Sequence, residues 1–145
     1  MVILLIVILL FSRRFIGGLF VFFFFGALHL IEIYGKTFVD HLPPPEFMLR
    51  TERIGDFPQF YVRSNFSYPS GHAGRAAFIS VVIALLILKS KKFSYSQKII
   101  IYSVLAVYDL VLFTSRIYLG EHWLTDVIGG GLLGLGLSFI SAIFI

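Results

Sequence analysis

The chain contains no cysteine, which excludes a disulfide framework, thiolate metal ligands and a thiol nucleophile. It is also poor in charge. Asp, Glu, Lys and Arg make up 14% of its 145 residues, against roughly 25% in soluble domains. Neither a carboxylate cluster nor a histidine set with ligand spacing is present, so the residues offer nothing that points to a metal ion. The formal net charge of +4 is not a nucleic-acid signal. The basic residues are dispersed around the ends of apolar blocks, where they set topology or meet lipid headgroups.

What remains is apolar: 58% of residues are hydrophobic and the mean hydropathy is +0.92. A bilayer-crossing helix needs about 20 predominantly apolar residues, and open sheets cannot cross lipid with unpaired edges. The fold class is therefore all-α, a polytopic transmembrane helical bundle forming one domain over 1–145. Spans are expected near 15–34, 73–88, 99–113 and 123–145. Residues 2–11 are apolar but too short to cross alone, and lack the basic start of a signal peptide. They read as a truncated span or as a run continuing through Ser12-Arg13-Arg14. His29 reads as a histidine packed against a neighbouring helix.

The long polar stretch 35–71 holds Pro43-Pro44-Pro45 and the run Arg50-Thr51-Glu52-Arg53. A loop of this length is more often functional than decorative, and its aromatics suit the membrane–water boundary. A short interfacial helix is expected around 45–53. Arg13 and Arg14 precede the first span, and Lys89, Lys91, Lys92 and Lys98 lie between the second and third. Two spans separate these clusters, so both face one side, expected to be cytoplasmic. The loop ending in Pro69-Ser70-Gly71-His72 and the segment Ser115–His122 then face the other side together.

That face offers a phosphate-handling set. Ser70 and Gly71 sit at a helix start, where free N–H groups and the helix dipole favour an anion. His72 is beside them, and Lys36 and Arg116 add positive charge. If the chain is helical from Glu121 onward, His122 and Asp126 share a face. The aspartate would then hold one imidazole nitrogen and leave the other free, as a nucleophilic histidine requires. Phosphoryl transfer needs cations on the equatorial oxygens, an in-line nucleophile and a proton donor for the leaving oxygen. Each part taken alone has a bland reading as a helix-start turn, an interfacial side chain or a buried polar pair. Their conjunction on one side favours the chemical reading. The glycines Gly130 and Gly134 read as a small-xxx-small packing pair.

Pro69-Ser70-Gly71-His72, followed after a helical hairpin by Ser115-Arg116, five residues, His122, three residues and Asp126, resembles the membrane type 2 phosphatidic acid phosphatase superfamily. These are lipid phosphate phosphatases, related to bacterial undecaprenyl-diphosphatases and to haloperoxidases. The resemblance covers the chain from Lys36 onward. It implies a metal-independent hydrolase with no cofactor, acting through a phosphohistidine. His122 would be the nucleophile, Asp126 would orient it, and His72 would protonate the leaving group. Lys36, Ser70, the Gly71 N–H and Arg116 would hold the phosphoryl oxygens.

The family's first motif runs lysine, six residues, arginine, proline. Here Lys36 is followed at that spacing by Pro43 and Pro44, so the arginine is missing, with Arg50, Arg53, Arg63 and His41 as candidate stand-ins. That departure keeps open an alternative: a catalytically weakened member that binds lipid phosphate without turning it over. A transporter using Asp109, His29 and Glu32 is the weaker alternative, because no inverted repeat supports it. The expected partners are a lipid phosphate or diphosphate substrate and membrane lipids, with no nucleic acid. The small size resembles bacterial or archaeal members. It implies a prokaryotic plasma membrane, an extracytoplasmic site, and undecaprenyl diphosphate ahead of phosphatidate or phosphatidylglycerol phosphate. Oligomeric state is not legible.

Overall fold

A computed structural model of the chain describes residues 15–50 and 66–144. It is helical, with no strand among the described residues. Four helices account for most of it: α1 Phe15–Phe38, α2 Gly71–Lys89, α3 Tyr95–Tyr118 and α4 Leu124–Ala142. All four are long and apolar enough to cross a membrane. A 3₁₀ turn at Glu46–Met48 interrupts the connection between α1 and α2.

The local starts and stops follow from side-chain chemistry. Before α3, Ser94 Oγ accepts the Gln97 N–H at 3.3 Å and Gln97 Oε1 accepts the Ser94 N–H at 2.9 Å. This reciprocal cap satisfies two donors that a helix start leaves free. Lys98 Nζ donates to the Leu88 carbonyl at 2.9 Å, which ties α3 to the end of α2. α3 stops at Gly120, whose φ of +71° is open to glycine and strained for other residues. A side chain there would also run into the Met48 backbone, so the turn brings the 46–48 segment against the α3–α4 junction.

α2 is the central element. Val21 and Leu28 of α1 pack with Phe78, Ile79 and Val82 of α2 in a buried cluster. On its other side α2 meets α4 almost backbone to backbone. Added side-chain carbons at Gly130 and Gly134 would collide with the backbones of Ser70 and Gly74 respectively. Small residues permit that approach, and close contact is the main source of helix association where surrounding lipid is as apolar as the helices. Ser80 Oγ donates to Asp109 Oδ1 at 2.9 Å, pinning α3 to α2. α3 itself has no buried residue. His29 is locally occupied, its Nδ1 lying 2.9 Å from the Phe25 carbonyl.

Several boundaries differ from the sequence reading. α1 continues to Phe38, so Lys36 lies in its last turn instead of opening a loop. α3 continues to Tyr118 and carries Arg116 in its last turn. The expected interfacial helix at 45–53 is one 3₁₀ turn within the described residues. Residues 2–11, Arg53 and Arg63 lie outside the described residues.

Candidate active site

His122 and Asp126 come together at the start of α4, though not on one helical face. The helix begins at Leu124, so His122 lies outside it. The reason is the capping chemistry of Asp126. Its Oδ2 accepts the Trp123 N–H at 2.9 Å, closing the first turn and making Trp123 the cap residue. The same oxygen lies 3.4 Å from His122 Nδ1, close but not aligned as a hydrogen bond. His122 is only 5% exposed and Asp126 is fully buried. The imidazole is therefore largely shielded from water while one of its nitrogens faces a carboxylate.

The other carboxylate oxygen, Oδ1, is buried with no hydrogen-bond partner, and a second imidazole stands near it. His41 Nδ1 stands 3.2 Å from Asp126 Oδ1 and 3.2 Å from Ser67 Oγ, and its Nε2 is 3.3 Å from Thr125 Oγ1. His41 was a candidate stand-in for the missing arginine. Its ring nitrogens face Ser67 and Thr125, with Nδ1 also near the Asp126 carboxylate.

The Pro69-Ser70-Gly71 turn packs directly beside this pair, because the Ser70 N–H donates to the Asp126 carbonyl at 2.9 Å. Ser70 is fully buried, and its hydroxyl has no hydrogen-bond partner. A buried unpaired hydroxyl costs stability. Here it stands at the first turn of α2, where the helix end favours an anion.

Glu32 sits against Gly71, so that a side chain at position 71 would strike its carboxylate. That carboxylate is buried and joins two cations: Lys36 Nζ at 2.9 Å and Arg75 Nη1 at 2.6 Å. Arg75 is absent from the sequence-derived set. Its signal was its position, three residues after His72 on the same helix, which places the two on neighbouring parts of one face.

Arg116 is also paired, with Nη1 2.7 Å from Glu121 Oε2 and Nε 3.3 Å from Ser115 Oγ. His72 is exposed at the first turn of α2. Arg116, Arg75, Glu121 and His122 are the charged or titratable groups whose fields reach it. Beside His122 opens a cavity of about 480 Å³, walled by Phe47, Met48, Tyr118 and Trp123, with Arg50 also on its wall. Among the described residues no group of three His, Cys, Asp or Glu side chains has the arrangement of a metal site.

Lys36, Ser70, Gly71, His72, Arg116, His122 and Asp126 thus lie at one end of the bundle, where α1 and α3 end and α2 and α4 begin. They divide into the buried His122–Asp126 pair, the Ser70–Gly71 helix start, and cations each held by a carboxylate.

The PAP2 superfamily model matches residues 2–145. The chain is 34% identical over 130 residues to a Bacillus subtilis protein named phosphatidylglycerophosphatase B, covering 90% of this chain and 59% of that one. It is 35% identical over 136 residues to a Sulfolobus acidocaldarius protein named undecaprenyl-diphosphatase, covering 92% and 58% respectively. The chain therefore spans about three-fifths of the length of these relatives. Its fold is similar to the crystal structure of a transmembrane PAP2-type phosphatidylglycerolphosphate phosphatase from Bacillus subtilis. The TM-score is 0.73 at 34% identity, over 98% of this chain and 67% of that one. With its motif residues gathered at one end of four membrane-length helices, the chain belongs to the PAP2 superfamily and has the fold of a polytopic transmembrane member.

Proposed function

We propose that this chain is an integral-membrane phosphatase that removes a terminal phosphate from a lipid phosphate or diphosphate through a phosphohistidine at His122. The observation that carries the reading is the buried imidazole, backed by the Asp126 carboxylate and adjoining an unpaired Ser70 hydroxyl at a helix start. The names of the two relatives, both phosphatases of lipid phosphates, support it.

In the proposed reaction Asp126 faces His122 Nδ1 and keeps the proton there, so Nε2 carries the free electron pair. Nε2 attacks phosphorus, forming an N–P bond as the bond from phosphorus to the leaving oxygen breaks. His72, as imidazolium, gives its proton to that oxygen. Neutral His72 then takes a proton from water as the water oxygen attacks phosphorus. The N–P bond breaks, which releases inorganic phosphate and restores His122. Ser70 Oγ, the Gly71 N–H, Arg116 and Lys36 hold the equatorial oxygens, where charge develops. The extracytoplasmic side is supported by sequence order, with Arg13–Arg14 before the first span and Lys89–Lys98 between the second and third, and a prokaryotic plasma membrane by the relatives' organisms.

A second reading has a specific observation behind it. Pro43 stands where the family has an arginine, and Lys36 and Arg116 are already engaged by Glu32 and Glu121. A pocket so neutralised could bind a lipid phosphate and turn it over slowly or not at all.

The deciding experiment is inorganic phosphate release by the purified, detergent-solubilised protein with EDTA present. The substrates are undecaprenyl diphosphate, phosphatidylglycerophosphate and phosphatidate, each beside His122→Ala. Release that survives chelation and disappears in the variant supports the phosphatase. No release from a folded protein that still binds the lipids favours the second reading.

A further inference from the structure

The cavity beside His122 contains a feature that the transfer chemistry does not use. Among the described residues lining it, Arg50 alone carries a fixed charge; apart from His122 the remainder is apolar, aromatic or glycine. The side chain is placed by two contacts. Its guanidinium carbon lies 4.5 Å from the centre of the Tyr118 ring, a cation–π distance. Its backbone N–H donates to the Leu119 carbonyl at 3.0 Å. Arg50 is thereby fastened to the end of α3, the same helix end that carries Arg116.

The two arginines have different surroundings. Arg116 is bonded to Glu121 and Ser115, within the charged group that includes His72. Arg50 stands over an aromatic platform on an otherwise apolar wall. The group transferred to His122 must come from a substrate whose adjoining atoms occupy space next to the imidazole, and this cavity adjoins it. Its apolar walls suit carbon chains. A guanidinium there is a fork that matches phosphate oxygens, and stacking on an aromatic ring leaves its outer N–H groups available.

Resting on the phosphatase reading above, we infer that Arg50, held over Tyr118, is a specificity-determining contact for a second phosphate in the substrate. The second phosphate is the one that stays with the lipid. In a polyprenyl diphosphate it is the inner phosphate, and in a phosphatidylglycerophosphate-type lipid it is the phosphodiester. Phosphatidate has a single phosphate and gains nothing from the contact. The enzyme therefore prefers lipids with two phosphates.

The test compares kcat/KM for undecaprenyl diphosphate, phosphatidylglycerophosphate and phosphatidate in the wild type, Arg50→Gln and Tyr118→Leu, with His122→Ala as the chemical control. Losing one charge-assisted contact costs about tenfold to a hundredfold. Arg50→Gln is expected to show that loss on at least one two-phosphate lipid and to stay within twofold on phosphatidate. Tyr118→Leu, which keeps the guanidinium and removes its platform, loses about threefold to tenfold on the same lipid. Which of the two lipids loses activity identifies the inner phosphate or the phosphodiester as the ligand. Equal losses on all three lipids, or none on any, overturn the inference and leave the phosphatase reading intact. Release that persists in His122→Ala overturns that reading, and the subsite with it.

Discussion

Asp126 makes two contacts through one oxygen, and this gives an unusual expectation for its amide. Oδ2 accepts the Trp123 N–H and faces His122 Nδ1, while Oδ1 faces His41. In Asp126→Asn the amide oxygen can take the Oδ2 place and keep both of its contacts. The amide NH₂ then faces His41 Nδ1, which accepts from it once that ring carries its proton on Nε2. The tautomer of His122 survives and only the charge is lost. A charge-assisted hydrogen bond is roughly twice as strong as a neutral one. With net values near 1 kcal/mol for neutral pairs, about 1–2 kcal/mol is lost as the imidazole becomes positive, or about five- to thirtyfold in kcat. Asp126→Ala removes the orientation as well. In a triad where the amide does enforce the wrong tautomer, the fall is about 10⁴, and the alanine variant should approach it. It also loses the helix cap, at about 1 kcal/mol of stability. The assay is phosphate release at saturating lipid, with thermal unfolding measured in the same detergent. If Asn and Ala reduce kcat equally, the shared-oxygen argument is refuted.

Two further expectations follow from the packing and the charge pairing. Gly134→Leu drives a branched side chain into the Gly74 backbone and should cost about 3 kcal/mol through overpacking, read as a lowered unfolding temperature. A value unchanged within error would contradict the backbone-to-backbone contact. Glu121→Gln frees Arg116 from its carboxylate and should lower KM about fivefold for about 1 kcal/mol of recovered phosphate contact. A raised KM would show that Glu121 positions Arg116 instead of competing for it.

Much of the bundle was legible because lipid imposes a simple rule on sequence. Long apolar blocks separated by polar turns translate directly into four helices, and the two motifs carry the residues of the His122–Asp126 pair and the Ser70 turn. The helix ends were less legible. Polar Lys36 and Arg116 look like loop residues, yet each is the basic last turn of a helix, where the dipole favours a cation. The last span starts within a residue of the expected 123, but helicity from Glu121 does not hold, and tryptophan is not a usual cap. The cap is made by Asp126 reaching back to the Trp123 N–H. Least legible were the contacts between distant segments. Glu32 with Arg75 and His41 with Asp126 join different helices or loops, and no local spacing encodes them. Nor does Pro43 announce what the missing arginine leaves behind. His41, two residues earlier, stands beside the Asp126 carboxylate, while Arg50 lies on the wall of the neighbouring cavity.

The glycine seam between α2 and α4 has a consequence for how the site is held. It welds the Ser70–Gly71 turn to the start of α4, so those two parts behave as one solid jaw. Prising them apart would break close backbone contacts along two helices. Facing them, the 46–50 segment meets the end of α3 through the Gly120 turn and the Arg50 N–H on the Leu119 carbonyl. Asp126 and the Ser70 turn are thus held as one piece, while Arg116, at the end of α3, belongs to the facing side.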